Sequence, residues 1–129
     1  MPLPFKIRTR NGEYDAELDE STDMANAVWL SLPFRADINM LGSSIYFEMP
    51  IDPKIEDEKT NVFEVGDICW WPGVNALVIL FGPMPLSGED GKPVTSHKMI
   101  RIGRIIGDCS SMEDAGDRQR IDLVKDDYF

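Results

Sequence analysis

Phe5 and Ile7 alternate with Lys6, Arg8 and Arg10. After Asn11-Gly12 the alternation resumes, with Tyr14, Ala16 and Leu18 set against Glu13, Asp15, Glu17 and Asp19. A period of two on both sides of Asn-Gly predicts a hairpin with a two-residue type I′ turn, because Asn and Gly tolerate positive φ at both central positions. In that register Arg10 faces Glu13, Arg8 faces Asp15 and Lys6 faces Glu17, while Phe5 meets Leu18 and Ile7 meets Ala16. Each cross-strand charge pair contributes roughly 0.2–1 kcal/mol and opposes slippage. The period then changes. Ala25, Val28, Trp29 and Leu32 fall on one helical face behind the capping candidates Ser21, Thr22 and Asp23, and Pro33 stops the helix, which spans about residues 22–32. Trp29 is read as the helix's anchor to the body of the protein.

The remaining chain alternates again in short runs. Ile45, Phe47 and Met49 against Tyr46 and Glu48 predict a strand, and residues 52–59, rich in both charge signs, a solvated loop. Short strands follow at 62–65 and at 68–71, separated by a Gly66-Asp67 turn and ended by Pro72-Gly73. Residues 76–81 lack polar positions on either face, which predicts a central strand covered on both sides. Residues 87–93 read as a hairpin tip, 98–106 as a strand with a bend or bulge at Gly103, 109–117 as irregular and 120–125 as the last strand. One helix cannot cover both faces of eight strands. The predicted fold is therefore mainly β: a closed eight-stranded barrel with the helix over one mouth, which buries the apolar runs and leaves no edges. Such a barrel is filled by its own side chains, so a site belongs at a rim or on the outer face.

Length and charge narrow the picture. A chain of 129 residues with 43% hydrophobic positions suits one domain with a core. A net charge of −10 opposes binding to a nucleic-acid backbone or to an anionic membrane. The two cysteines, Cys69 and Cys109, could form one disulfide by count. With no apolar leader in MPLPFKIRTR, they are read as free thiols in a reducing cytoplasm. One histidine and two scattered cysteines offer no zinc spacing, so no metal and no cofactor is expected.

Several tracts together resemble the small prokaryotic cyclophilin-like barrels, a branch largely without assigned function. They are Leu32-Pro33-Phe34; Gly42 with Ile45-Tyr46-Phe47-Glu48 and Pro50; Gly66-Asp67-Ile68 with Trp71-Pro72-Gly73 and Asn75-Ala76; Phe81-Gly82-Pro83 with Pro85; and Gly103-Arg104-Ile105. Leu41 stands where that family usually has tryptophan. The resemblance implies the barrel. It does not carry over prolyl isomerase chemistry, which true cyclophilins perform. Their arginine would fall at Phe47, their Ser-Gln pair is replaced by aliphatics between Ala76 and Phe81, and their histidine position falls near Met99, with His97 two residues away. Rotation about an X–Pro bond faces a barrier of about 18–20 kcal/mol. An isomerase lowers it by donating to the proline nitrogen inside an apolar pocket. Phe47 offers a pocket wall and no donor.

The candidate ligand-binding residues are Tyr46, Glu48, Trp71, Asn75, Phe81 and Met84, and no catalytic residue is assigned. Trp70 and Trp71 point to opposite sides of one strand; Trp71, just before Pro72-Gly73, is expected near a rim. Tyr46 and Glu48 share one strand face, where an acid/base pair competes with an ordinary outward pair. Asn75, after a Pro-Gly turn, either contacts a ligand or bonds nearby backbone. Arg35 either takes an anion or pairs with Asp37. The leading expectation is a binding module for a small molecule or peptide. The alternatives are a prolyl isomerase or hydrolase component and a protein-interaction subunit. A homo-dimer is left open. A concave apolar pocket would favour the first reading, a broad flat patch the last.

Overall fold

A computed structural model describes residues 2–52, 54–82 and 92–126. Along the chain lie β1 (Leu3–Thr9), β2 (Gly12–Leu18), α1 (Asp23–Leu30), β3 (Phe34–Asp37), β4 (Asn39–Leu41), β5 (Ser44–Glu48) and β6 (Thr60–Val62). Then follow β7 (Asp67–Trp71), β8 (Ala76–Leu80), β9 (Val94–Ile105), a 3₁₀ turn (Ser110–Asp114) and β10 (Arg120–Lys125). The hydrogen-bonded order is β3-β10-β1-β2-β9-β7-β8-β5-β4, all antiparallel, with β6 paired to β9.

This corrects the expected eight-stranded closed barrel. Among the described residues there are ten strands, and no ladder joins the two ends of the order, β3 and β4. Those ends are consecutive in the chain with Ile38 between them, so one segment borders both edges of the sheet. Ile38 is held there by its N–H to the Gln119 carbonyl (2.7 Å) and by its carbonyl, which accepts from Arg118 N–H (2.7 Å). Arg35 pairs with Asp122 directly across the ladder (2.6 Å) rather than with Asp37.

The β1–β2 hairpin is also corrected. Arg8 faces Glu13, Lys6 faces Asp15, Ile7 faces Tyr14 and Phe5 faces Ala16, a slip of two residues from the expected register. A two-residue slip keeps every side chain on its face and still matches opposite charges, so the pattern alone cannot choose between the two. Tertiary contacts choose. The turn residues are Arg10 and Asn11, neither with positive φ. Arg10 donates to the Asp114 carbonyl (3.3 Å) and Asn11 Nδ2 to the Ser111 carbonyl (2.6 Å), tying the turn to the 3₁₀ segment.

The helix starts where its cap predicts. Thr22 Oγ1 accepts from Ala25 N–H (3.2 Å). Asp57 completes the cap from the 52–59 loop, its carboxylate accepting from Asp23 N–H (3.1 Å) and Met24 N–H (2.8 Å). Met24, Ala25 and Val28 are buried in the main core. Trp29 is half-buried against it, with the Lys125 ammonium 5.0 Å from the ring.

Alternation builds two apolar layers. Inward go Phe5, Ile7, Ile45, Phe47, Ile68, Trp70, Leu77, Ile79, Ile100, Ile102 and Leu123. Outward from β7, β8 and β9 go Cys69, Val78, Leu80 and Met99, which form a second cluster with Phe63. All of Ala76–Leu80 is buried, as a central strand requires. A bulge sits at Gly103: Ile68 faces Gly103, yet Cys69 faces Arg101, leaving Ile102 as the extra residue. There β2 and β9 approach so closely that a Cβ on residue 103 would collide with the Glu17 carbonyl oxygen and lie 3.1 Å from Leu18 Cα. No helix among the described residues is long and apolar enough to cross a membrane.

Candidate functional site

The described residues cover the second apolar layer only in part, and between them lies a cavity of about 320 Å³ on the outer face of β5, β8, β7 and β9. Its construction follows from strand alternation. Tyr46 faces Val78 and Ser44 faces Leu80 across the β5–β8 ladder, so these four point to the same side. Cys69, two residues before Trp71 on β7, faces Val78, which puts Trp71 on that side too. Val78, Leu80 and Met99 form the floor.

Three rings form the wall. Tyr46 meets Trp71 edge to face, with centroids 6.1 Å apart at 69°. His97 stacks on Trp71 at 5.5 Å and 28°. The lip is made by Leu41 and Gly42 on one side and by Val94, Thr95 and Ser96 on the other. Trp71 ends its strand because Pro72-Gly73 turns the chain away, which leaves the indole half-buried beside the opening.

Two hydroxyls of this wall are committed within the protein. Ser44 Oγ donates to the Leu41 carbonyl (2.6 Å) and Thr95 Oγ1 to the His97 carbonyl (2.6 Å). The chain is 28% charged, so twelve positions drawn at random would include about three charged residues. The twelve described lining positions include no Asp, Glu, Lys or Arg. Beneath them, Cys69 is fully buried, and that burial, with Asp67 nearby, pushes its thiol well above the usual range. It is not poised as a nucleophile.

The sequence-derived candidates separate accordingly. Tyr46 and Trp71 line the cavity. Glu48 shares the face of Tyr46 but is exposed and lies outside the lining. Phe81 turns inward and packs in the main core. Asn75 has φ 55°, and its Nδ2 donates to the carbonyls of Ile51 (3.1 Å) and Met49 (3.4 Å), the backbone role weighed for it. Met84 lies outside the described residues. Phe47 is no pocket wall: it is 1% exposed in the interior, its ring stacked on Phe34 at 6.2 Å. The sequence reading missed Val78, Leu80, His97, Met99 and the lip. The signal for the first two was the polar-free run itself, whose outer face had to be covered by something.

A second depression, of about 610 Å³, borders β2, β7 and β9. The Gly103 bulge brings Arg101 and Arg104 to one face, where Arg101 pairs with the buried Asp67 (2.8 Å) and Arg104 with Glu17 (2.9 Å). Asp67 also accepts from Glu64 N–H (2.8 Å), and Glu64 pairs with Lys92 (3.0 Å). It is an ion-pair network satisfied by its own members. No group of three or more potential ligands among the described residues is arranged to hold a metal ion.

A mainly β, antiparallel fold of ten described strands, with an interior core and an apolar cavity on its outer face, defines the class. The chain belongs to the Cyclophilin-like family, which it matches over residues 3–124. Among solved structures it is similar to that of the hypothetical protein AF2241 from Archaeoglobus fulgidus, with 25% sequence identity and a TM-score of 0.74, covering 97% of this chain and 95% of that one. No functionally curated protein matches it.

Proposed function

We propose that the protein is a binding module whose outer-face cavity takes an apolar small molecule or an apolar peptide side chain, and that it is not an efficient prolyl isomerase. The carrying observation is the cavity itself: about 320 Å³, concave, walled by Tyr46, Trp71 and His97. That volume is at the lower end of the range for small-ligand sites. Of the candidate residues, Tyr46 and Trp71 belong to this site.

The second half of the reading rests on the donor inventory. Lowering the isomerisation barrier needs a donor positioned at the proline nitrogen. The described lining holds no guanidinium and no side-chain amide. The position compared with the isomerases' arginine, Phe47, faces the interior.

Two measurements test this together. In a proline-peptide assay the exchange should stay near the uncatalysed time of about tens to hundreds of seconds at 25 °C. In a thermal-shift screen of apolar metabolites and peptides, hits should lose their effect in Trp71→Ala. Robust acceleration that disappears in Tyr46→Phe or Trp71→Ala would overturn the reading and make the cavity a catalytic site.

A further inference from the structure

We infer that the outer-face cavity is built for an uncharged, planar, fused-ring ligand of about the size of indole; this rests on the reading of the cavity as a binding site. Three features specify the class. The first is charge. Among the described residues no Asp, Glu, Lys or Arg lines the cavity, so they offer a charged ligand no partner for the hydration it would lose. The hydroxyl protons of Ser44 and Thr95 are already given to the Leu41 and His97 carbonyls, so neither is free to donate to a ligand. The second is shape. The Trp71 indole meets Tyr46 edge to face and His97 by stacking, and both arrangements are those that further aromatic rings prefer. Met99 adds a thioether to the floor, a soft partner for a ring edge. The third is size. A cavity of roughly 150 Å³ holds one benzene, and about 320 Å³ is twice that. Two fused rings fill it, and one ring leaves it half empty.

The test is a nuclear magnetic resonance titration of the full chain with three probes: indole, indole-3-acetate and borneol. Indole is neutral and planar, indole-3-acetate is planar and charged, and borneol is a neutral saturated bicycle. Indole should shift the Trp71 Nε1–H resonance and bind at least about tenfold tighter than indole-3-acetate, which has to bury its charge. It should also bind tighter than borneol, which cannot stack. Trp71→Ala should weaken indole by about tenfold. Should that variant unfold, Leu41→Lys serves instead, because Leu41 is 55% exposed at the lip and its replacement leaves the core intact. It should narrow the gap between indole and indole-3-acetate by roughly threefold. Equal affinity for indole and indole-3-acetate overturns the inference. So does borneol binding as tightly as indole; in that case the binding-site reading stands, because Trp71 still responds. If none of the three probes, nor an apolar peptide, moves Trp71, both fail.

Discussion

Leu77 and Leu80 occupy the same strand and are 1% and 0% exposed, so burial alone ranks their truncations as equal. Their surroundings do not. Leu77 points into the interior, among the side chains of the main core, whereas Leu80 belongs to the outer cluster and floors the cavity. Leu→Ala removes three carbons, about 2.4 kcal/mol at about 0.8 kcal/mol per buried carbon. At Leu77 the void is enclosed on all sides, so a cavity term adds to the transfer term, for a total of about 4 kcal/mol. At Leu80 the void merges with a space that already exists, and the cost should stay near the transfer term, about 2–2.5 kcal/mol. Urea denaturation, with midpoints compared at unchanged slope, measures the difference directly. Leu77→Ala should be the more damaging by about 1.5 kcal/mol. Equal losses, or a larger loss at Leu80, would mean that the outer cluster is a closed second core, and the cavity as described would not exist.

Four further outcomes follow from the same geometry. Gly103→Ala should cost about 1–3 kcal/mol or more, because its Cβ meets backbone of β2 rather than a movable side chain; a neutral effect in a melt would show that β2 and β9 can part without loss. Asp57→Ala removes a carboxylate bonded to two N–H groups of the first helical turn and should cost about 0.5–2 kcal/mol by denaturant titration, while no loss would make that contact incidental. Asp19 is held below the usual carboxylate range by its bonds from Ser21, and Asp108 by its bonds from Ser110. Their folded values are depressed, so the stability they contribute is present above about pH 4 and lost as pH falls through the folded values; replacing both with Asn should flatten the acid side of the stability profile, and an unchanged slope would remove them as its cause. Burial raises both thiols, Cys69 the more, so native protein should react slowly with iodoacetamide at pH 8 and Cys69 last, whereas rapid labelling of Cys69 would contradict its place under the cavity.

Strand alternation made much of this architecture legible. It separated Trp70 from Trp71, sent Tyr46 outward and marked residues 76–81 as a strand covered on both faces. The same logic, carried one residue further, sends Phe81 inward and brings Val78 and Leu80 to the cavity. β3 and β4 were not legible, because Phe34–Asp37 and Asn39–Leu41 are too short to show a period. They are strands because β10 and β5 pair with them and because Ile38 bonds to residues 118 and 119. The hairpin register was equally out of reach: the contacts that set it come from Ser111 and Asp114, about 100 residues away. His97 entered the site through a strand whose first half pairs irregularly with β6, with one residue between Thr60 and Val62 set against four between Val94 and Met99. No local pattern announces such a bulge.

The central claim is that ligands enter at the outer face beside Trp71, and the three tryptophans are well placed to report on it. Trp70 is buried in the interior, Trp29 sits on the helix under Lys125, and Trp71 stands at the cavity. Their three indole N–H resonances can be followed separately while a library of apolar fragments and peptides is added. The account predicts hits that shift Trp71 and leave Trp29 unmoved, with the response abolished by filling the lip through Ser96→Trp. Hits that move Trp29 and spare Trp71 would put the binding site on the helix and contradict the account.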